Sequence, residues 1–194
     1  MRIIISSILI TLFLTAISVG AEYHIDREMD NSVLFISDAP FEDFEGKTSH
    51  IDGFAFWPGE EFGSDIDLAE TKIHFEVELA TLKTGIGMRD KDMREDYLET
   101  DEYPYAVYDG RLTSVEKTGE SSYSVNTEGE FKVHGVSRQR NLSAEVTFQD
   151  NHIHVISSFE VNLEDHDIDI PSLLFLRINE VIEVELDYYL KFVK

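Results

Sequence analysis

The chain has 194 residues, 28% of them charged, with a formal net charge of −23 at pH 7. That balance repels nucleic acid and anionic headgroups, while 42% hydrophobic and 11% aromatic residues exclude a chain too polar to fold. Cys is absent, which rules out thiol catalysis, Cys-ligated zinc and iron–sulfur centres.

Residues 1–21 read as a signal peptide. Arg2 supplies the positive start, Ile3–Leu14 is an apolar run, and Val19-Gly20-Ala21 offers the small residues of a cleavage site. The run is short for a membrane span and has no basic stop-transfer flank. The expectation is a periplasmic or secreted protein whose residues 22–194 form one domain, with no stable membrane insertion after cleavage.

Beyond the leader, period-two alternation recurs. Ser32–Ser37 and Ile51–Trp57 are short strand candidates. Lys72–Leu79 is cleaner, with Ile73, Phe75, Val77 and Leu79 on one face and Lys72, His74, Glu76 and Glu78 on the other. Met88–Pro104 breaks the pattern: it is charged and rich in helix formers, and predicts one short helix within about Arg89–Thr100. Tyr123–Val133 then puts Tyr123, Val125, Phe131 and Val133 on one face. Asn141–Phe148 does the same with Leu142, Ala144, Val146 and Phe148, and His152–Leu163 with Ile153, Val155, Phe159, Val161 and Leu163. Glu180–Phe192 closes with Ile182, Val184, Leu186, Tyr188, Leu190 and Phe192. Turn residues separate these runs at Glu116–Ser121, His134-Gly135 and Gln149–Asn151.

This is an all-β pattern of about eight antiparallel strands, the number at which a barrel can enclose one small ligand. Alternation alone fits a sandwich equally well. The inward aromatics Phe35, Phe75, Phe131, Phe148, Phe159 and Phe192 read, on periodicity, as a packed core.

Catalytic chemistry finds no footing. Phosphate loop, nucleophile elbow and zinc-protease motifs are missing from the sequence, and no catalytic residue or metal site is assigned. His152 and His154 alternate onto the outer, hydrated face beside a loop, and Glu164–Asp167 with Asp169 is the acidic clustering expected of so acidic a chain. Tyr108 and Tyr188 are the ionisable groups on inward positions. Arg94 reads as a surface ion pair, whereas Arg89 sits where a strand hands over to the helix.

Three stretches carry a family likeness: Leu79–Pro104 (LATLKTGIGMRDKDMREDYLETDEYP), Gly129–Ser137 (GEFKVHGVS), and the final pair of strands around Phe159–Asn162 and Val181–Tyr188. With Asn31–Phe35, they resemble the YceI-like family of secreted lipocalin-like proteins that bind polyisoprenoids. The sequence departs from the family pattern at Asn31, at Asp92 and at Ser137.

The resemblance implies an eight-stranded antiparallel lipocalin-like barrel with one short helix between strands. It also implies non-enzymatic binding, storage or transport of an isoprenoid lipid of quinone or polyprenyl type, with no cofactor. The alternative reading is a stress-protective exported barrel with a packed interior and no lipid. The expected tunnel lining is Phe35, Phe75, Val77, Leu79, Met88, Met93, Tyr108, Phe131, Val133, Phe148, Phe159, Val161, Leu186 and Tyr188, with Arg89 as head-group contact. An isoprenoid lipid is the expected partner, nucleic acid is not, and homodimerisation is left open.

Overall fold

Alternating side chains and a run of tight turns produce an antiparallel meander that closes on itself. The structure, a computed structural model, describes residues 20–37, 44–59, 61–170, 172–173, 176–177 and 179–193. Most of the expected signal segment therefore lies outside the described residues. Gly20 and Ala21, at the expected cleavage site, pair with Pro58 and Trp57 in the first strand.

The strands are β1 (Gly20–Ile25), β2 (Ser32–Ser37), β3 (Phe44–Thr48), β4 (Ile51–Pro58), β5 (Lys72–Glu78), β6 (Tyr105–Lys117), β7 (Ser122–Val133), β8 (Val136–Gln149), β9 (His152–Asn162), β10 (Ser172–Leu173), β11 (Leu176–Arg177) and β12 (Val181–Phe192). Their order is β1-β4-β5-β6-β7-β8-β9-β12, and β12 pairs back onto β1. Eight antiparallel positions close a barrel, which settles the choice that alternation left open.

The seam explains why more strands than eight appear. β12 pairs β1 through Leu190–Phe192 and β2 through Glu183–Asp187, so β1 and β2 are two halves of one interrupted strand. Asn31 mends the interruption. It is 3% exposed; its Oδ1 accepts from the Tyr189 N–H at 2.9 Å and its Nδ2 donates to the Asp26 carbonyl at 2.9 Å. Asp26 itself accepts from Lys191 Nζ at 3.0 Å and lies 2.9 Å from His152 Nε2. Burial pushes the Asp26 carboxyl up, but the hydrogen bonds from Lys191, the Glu28 N–H and His152 outweigh it and hold it below its ordinary value.

Several expectations shift in detail. The helix α1 spans Gly87–Asp92 and runs on as one π-helical turn, Met93–Tyr97, so it starts and ends earlier than the charge pattern suggested. β8 begins five residues before the alternation became readable, because Ser137–Asn141 is uniformly polar. His134 and Gly135 both take positive φ, 51° and 75°, and form the two-residue turn between β7 and β8, the geometry that matches strand twist. His152 and His154 are half-buried rather than simply hydrated: each docks on a carboxylate, Asp26 and Asp187 respectively. Phe192 does not join the interior. It is 56% exposed, because β12 has passed the barrel rim after Leu190, and its ring meets Tyr23 edge-on at 5.3 Å.

Candidate ligand-binding site

The inward faces do not meet in the middle. They surround a cavity of about 780 Å³, within the range of about 300–1,000 Å³ usual for ligand pockets. Its wall is mostly apolar, from Trp57, Phe62 and Phe148 at one end to Leu98, Met93 and Met88 at the other, with Ser37, Thr127, Ser143 and Ser157 interrupting it along the barrel.

The two ends are built differently. At the end formed by the β6–β7 and β8–β9 turns, Trp57 stacks on Tyr23 at 4.8 Å and meets Phe62 edge-on at 4.9 Å. Phe62 in turn contacts Tyr123 at 5.2 Å and Phe148 at 5.3 Å. Such offset and edge-to-face pairs are the favourable aromatic geometries, and together they plug the barrel.

The opposite end is covered by the segment between β5 and β6. Thr84 and Asp90 set its shape: the Asp90 Oδ1 accepts from the Thr84 N–H at 2.7 Å and from the Thr84 hydroxyl at 2.5 Å. Burial raises the Asp90 carboxyl, yet these two bonds and the charges of Arg94 and Arg89 prevail and hold it below the usual carboxylate range. Arg89 completes the corner, donating from Nε to the Thr84 hydroxyl at 2.8 Å and from a terminal nitrogen to the Thr84 carbonyl at 3.0 Å. Before the helix, Lys83 and Lys47 exchange backbone hydrogen bonds of 2.9 and 3.0 Å, tying this segment to β3. Beyond it, Glu99 lies 3.1 Å from His134 Nε2, while His134 Nδ1 lies 3.2 Å from the His166 carbonyl. Both partners are acceptors, so a neutral imidazole can donate to only one of them.

All fourteen residues expected to line a tunnel border this cavity, and so does Arg89. Met88 does so from the rim, being 77% exposed, with Ile86 at 52% beside it. Arg89 stands at the same rim, engaged with Thr84. Close approach of glycine helps shape the wall there: a side-chain carbon on Gly46 would fall 2.0 Å from the Phe35 ring, so only glycine lets Phe35 lie flat against β3.

The sequence reading missed Trp57 and Phe62 as the plug. Phe62 sits in an irregular loop where periodicity is silent. It also missed the polar lining, Thr127 and Ser157, which share inward parity with their apolar neighbours and are buried at 7% and 9% exposure. The Glu164–Asp169 stretch does not gather its acids: among the described residues no group of three or more His, Asp or Glu side chains converges on a metal-sized space. His166 is instead fully buried, edge-on to Phe131 at 5.4 Å, with Nδ1 3.0 Å from the Val136 carbonyl. Burial drives its pKa down. No helix among the described residues is long and apolar enough to cross a membrane.

The model of the YceI-like domain matches residues 23–190. The chain belongs to the YceI-like family. Among solved structures it is similar to Burkholderia cenocepacia BcnA, with a TM-score of 0.67 at 11% identity over 85% of this chain and 98% of that one. A polyisoprenoid binding domain from Saccharophagus degradans, implicated in plant cell wall breakdown, superimposes with a TM-score of 0.65 at 14% identity over 88% and 98%. At such identities the likeness is one of fold. Comparison with curated proteins finds no match.

Proposed function

We propose that this YceI-like protein is a non-enzymatic carrier that holds an isoprenoid lipid, of quinone or polyprenyl type, inside its barrel in the periplasm or outside the cell. The observation that carries the reading is the apolar cavity of about 780 Å³ running between the aromatic plug and the helical cap. A flexible hydrocarbon chain gains roughly 0.8 kcal/mol for each buried CH₂, so a wall with little polar chemistry suffices for affinity. The binding described for the Saccharophagus degradans domain supports the same class of ligand. A barrel packed solid, the competing stress-protective reading, leaves no use for this cavity.

Mass spectrometry of an organic extract of the purified protein tests the proposal. A stoichiometric isoprenoid lipid is expected. Extracts empty of such lipid, together with no uptake of an added prenyl quinone or polyprenol, would remove the carrier reading.

A further inference from the structure

Two tyrosines on barrel strands, Tyr108 and Tyr188, border the cavity, and their hydroxyls are treated differently. Tyr108 on β6 lies 2.7 Å from the Thr127 hydroxyl, which in turn donates to the Leu142 carbonyl at 3.2 Å. Ser157 is likewise committed, donating to the Ser143 carbonyl at 2.7 Å. Tyr188 on β12 lines the same cavity and is 5% exposed, but its hydroxyl makes no hydrogen bond to any described residue. Its surroundings supply none: Val155 stands opposite it on β9, Leu186 and Leu190 flank it on the inward face, and its ring lies 5.0 Å from that of Phe75.

A hydroxyl that faces apolar cavity space without a partner is unfavourable. The Tyr188 hydroxyl is ringed by apolar neighbours, which give a water too few of the two to four polar partners that hold a buried water; Ser37 Oγ and Trp57 Nε1, which also border the cavity without a partner, stand on β2 and β4. The partner is then most simply brought by the ligand. Burial also raises the phenol well above its ordinary pKa, so the group keeps its proton and remains a donor.

We propose that Tyr188 is the polar anchor of the cavity, donating a hydrogen bond to an acceptor oxygen, a carbonyl or an ether, carried on an otherwise apolar ligand. This rests on the carrier reading and adds to it the place of the ligand's oxygen, inside the barrel and away from the rim.

The test compares farnesylacetone, a linear isoprenoid ketone, with the hydrocarbon of the same skeleton in which the carbonyl is CH₂. Affinities are read from displacement of the neutral fluorophore N-phenyl-1-naphthylamine from the whole protein and from Tyr188→Phe. The wild type should prefer the ketone by roughly tenfold, the worth of one net hydrogen bond, and Tyr188→Phe should lose that preference, binding the two molecules alike. Equal wild-type affinities, or a preference that survives in Tyr188→Phe, would overturn the anchor and leave the carrier reading standing. Failure of both molecules to bind would overturn both. Should the variant not fold, the wild-type preference and the infrared C=O stretch of bound farnesylacetone decide: a downshift on binding supports the anchor, an unshifted band refutes it.

Discussion

The two ends of this barrel are closed by different physics. The plugged end is made of rings on or beside strands that hairpins hold in place, with Trp57, Tyr23, Phe62, Tyr123 and Phe148 in mutual contact. The capped end is a single short segment whose own shape is set by Thr84–Asp90; Lys83–Lys47 and Glu99–His134 tie it to the barrel, and Met93 and Leu98 pack on the core beneath it. Opening the first means unpacking several mutually packed rings; opening the second means breaking a handful of hydrogen bonds and withdrawing Met93 and Leu98 from the cavity wall. On the carrier reading, this difference makes the cap, and not the plug, the end expected to open for a ligand. The exposed Ile86 and Met88 fit that division, as apolar side chains continuous with the cavity wall and already at the surface.

The sharpest way to break the comparison is to remove the plug. Trp57→Ala should destabilise the fold by about 3–5 kcal/mol, as truncation of a buried tryptophan does, seen as a lower denaturation midpoint. A variant that melts normally but binds lipid at both ends would make the plug a second door.

At the cap the effect should be smaller and local. Asp90→Ala leaves the Thr84 N–H and hydroxyl without their acceptor and should cost about 1–2 kcal/mol. Hydrogen exchange should speed up across residues 84–98 and lipid release should accelerate, with little change in the core. Acid should act in the same direction. Asp90 and Asp26 both have carboxyls held below their ordinary value of 3.8. Their contribution to stability is therefore fully present above about pH 4, the unfolded value. It is lost as pH falls through the depressed folded values. Melting temperature followed from pH 6 to pH 2 should drop below about pH 4, less steeply in Asp90→Ala than in the wild type.

The smallest effect belongs to the outer face. Lys132 is exposed on β7 between the inward Phe131 and Val133, so Lys132→Ala should shift stability by no more than about 0.5 kcal/mol and leave binding alone. A large change there would mean that the strand register is reversed.

Much of this was legible in the sequence, for a definite reason. Inward parity is a backbone property, and every β-residue named from alternation falls on the inner wall except Phe192, where the strand outruns the barrel. Parity says nothing about whether opposite walls touch, so the cavity itself was not readable; a packed core and a hollow one share the same alternation. β6 escaped for another reason. Its register slips at a bulge between Leu112 and Ser114, which breaks the period before Val115 restores it. Asn31 illustrates the opposite case: a departure from the family pattern was visible, but its use, capping the broken edge of β12, depends on contacts 158 residues away. The hydroxyl pairing of Tyr108 with Thr127 was hidden likewise, since partners on adjacent strands are specified by register.

The central claim is that the interior is a preformed space for a ligand, and filling that space tests it most directly. Ala144 lies on the cavity wall, half-buried on β8. In a tightly packed core Ala144→Phe would cost about 1–3 kcal/mol through overpacking. In a hollow barrel the added ring should enter free space. Melting temperature should then stay near that of the wild type while isoprenoid binding is lost. A variant that unfolds, or one that is stable and still binds lipid at full stoichiometry, would contradict the account.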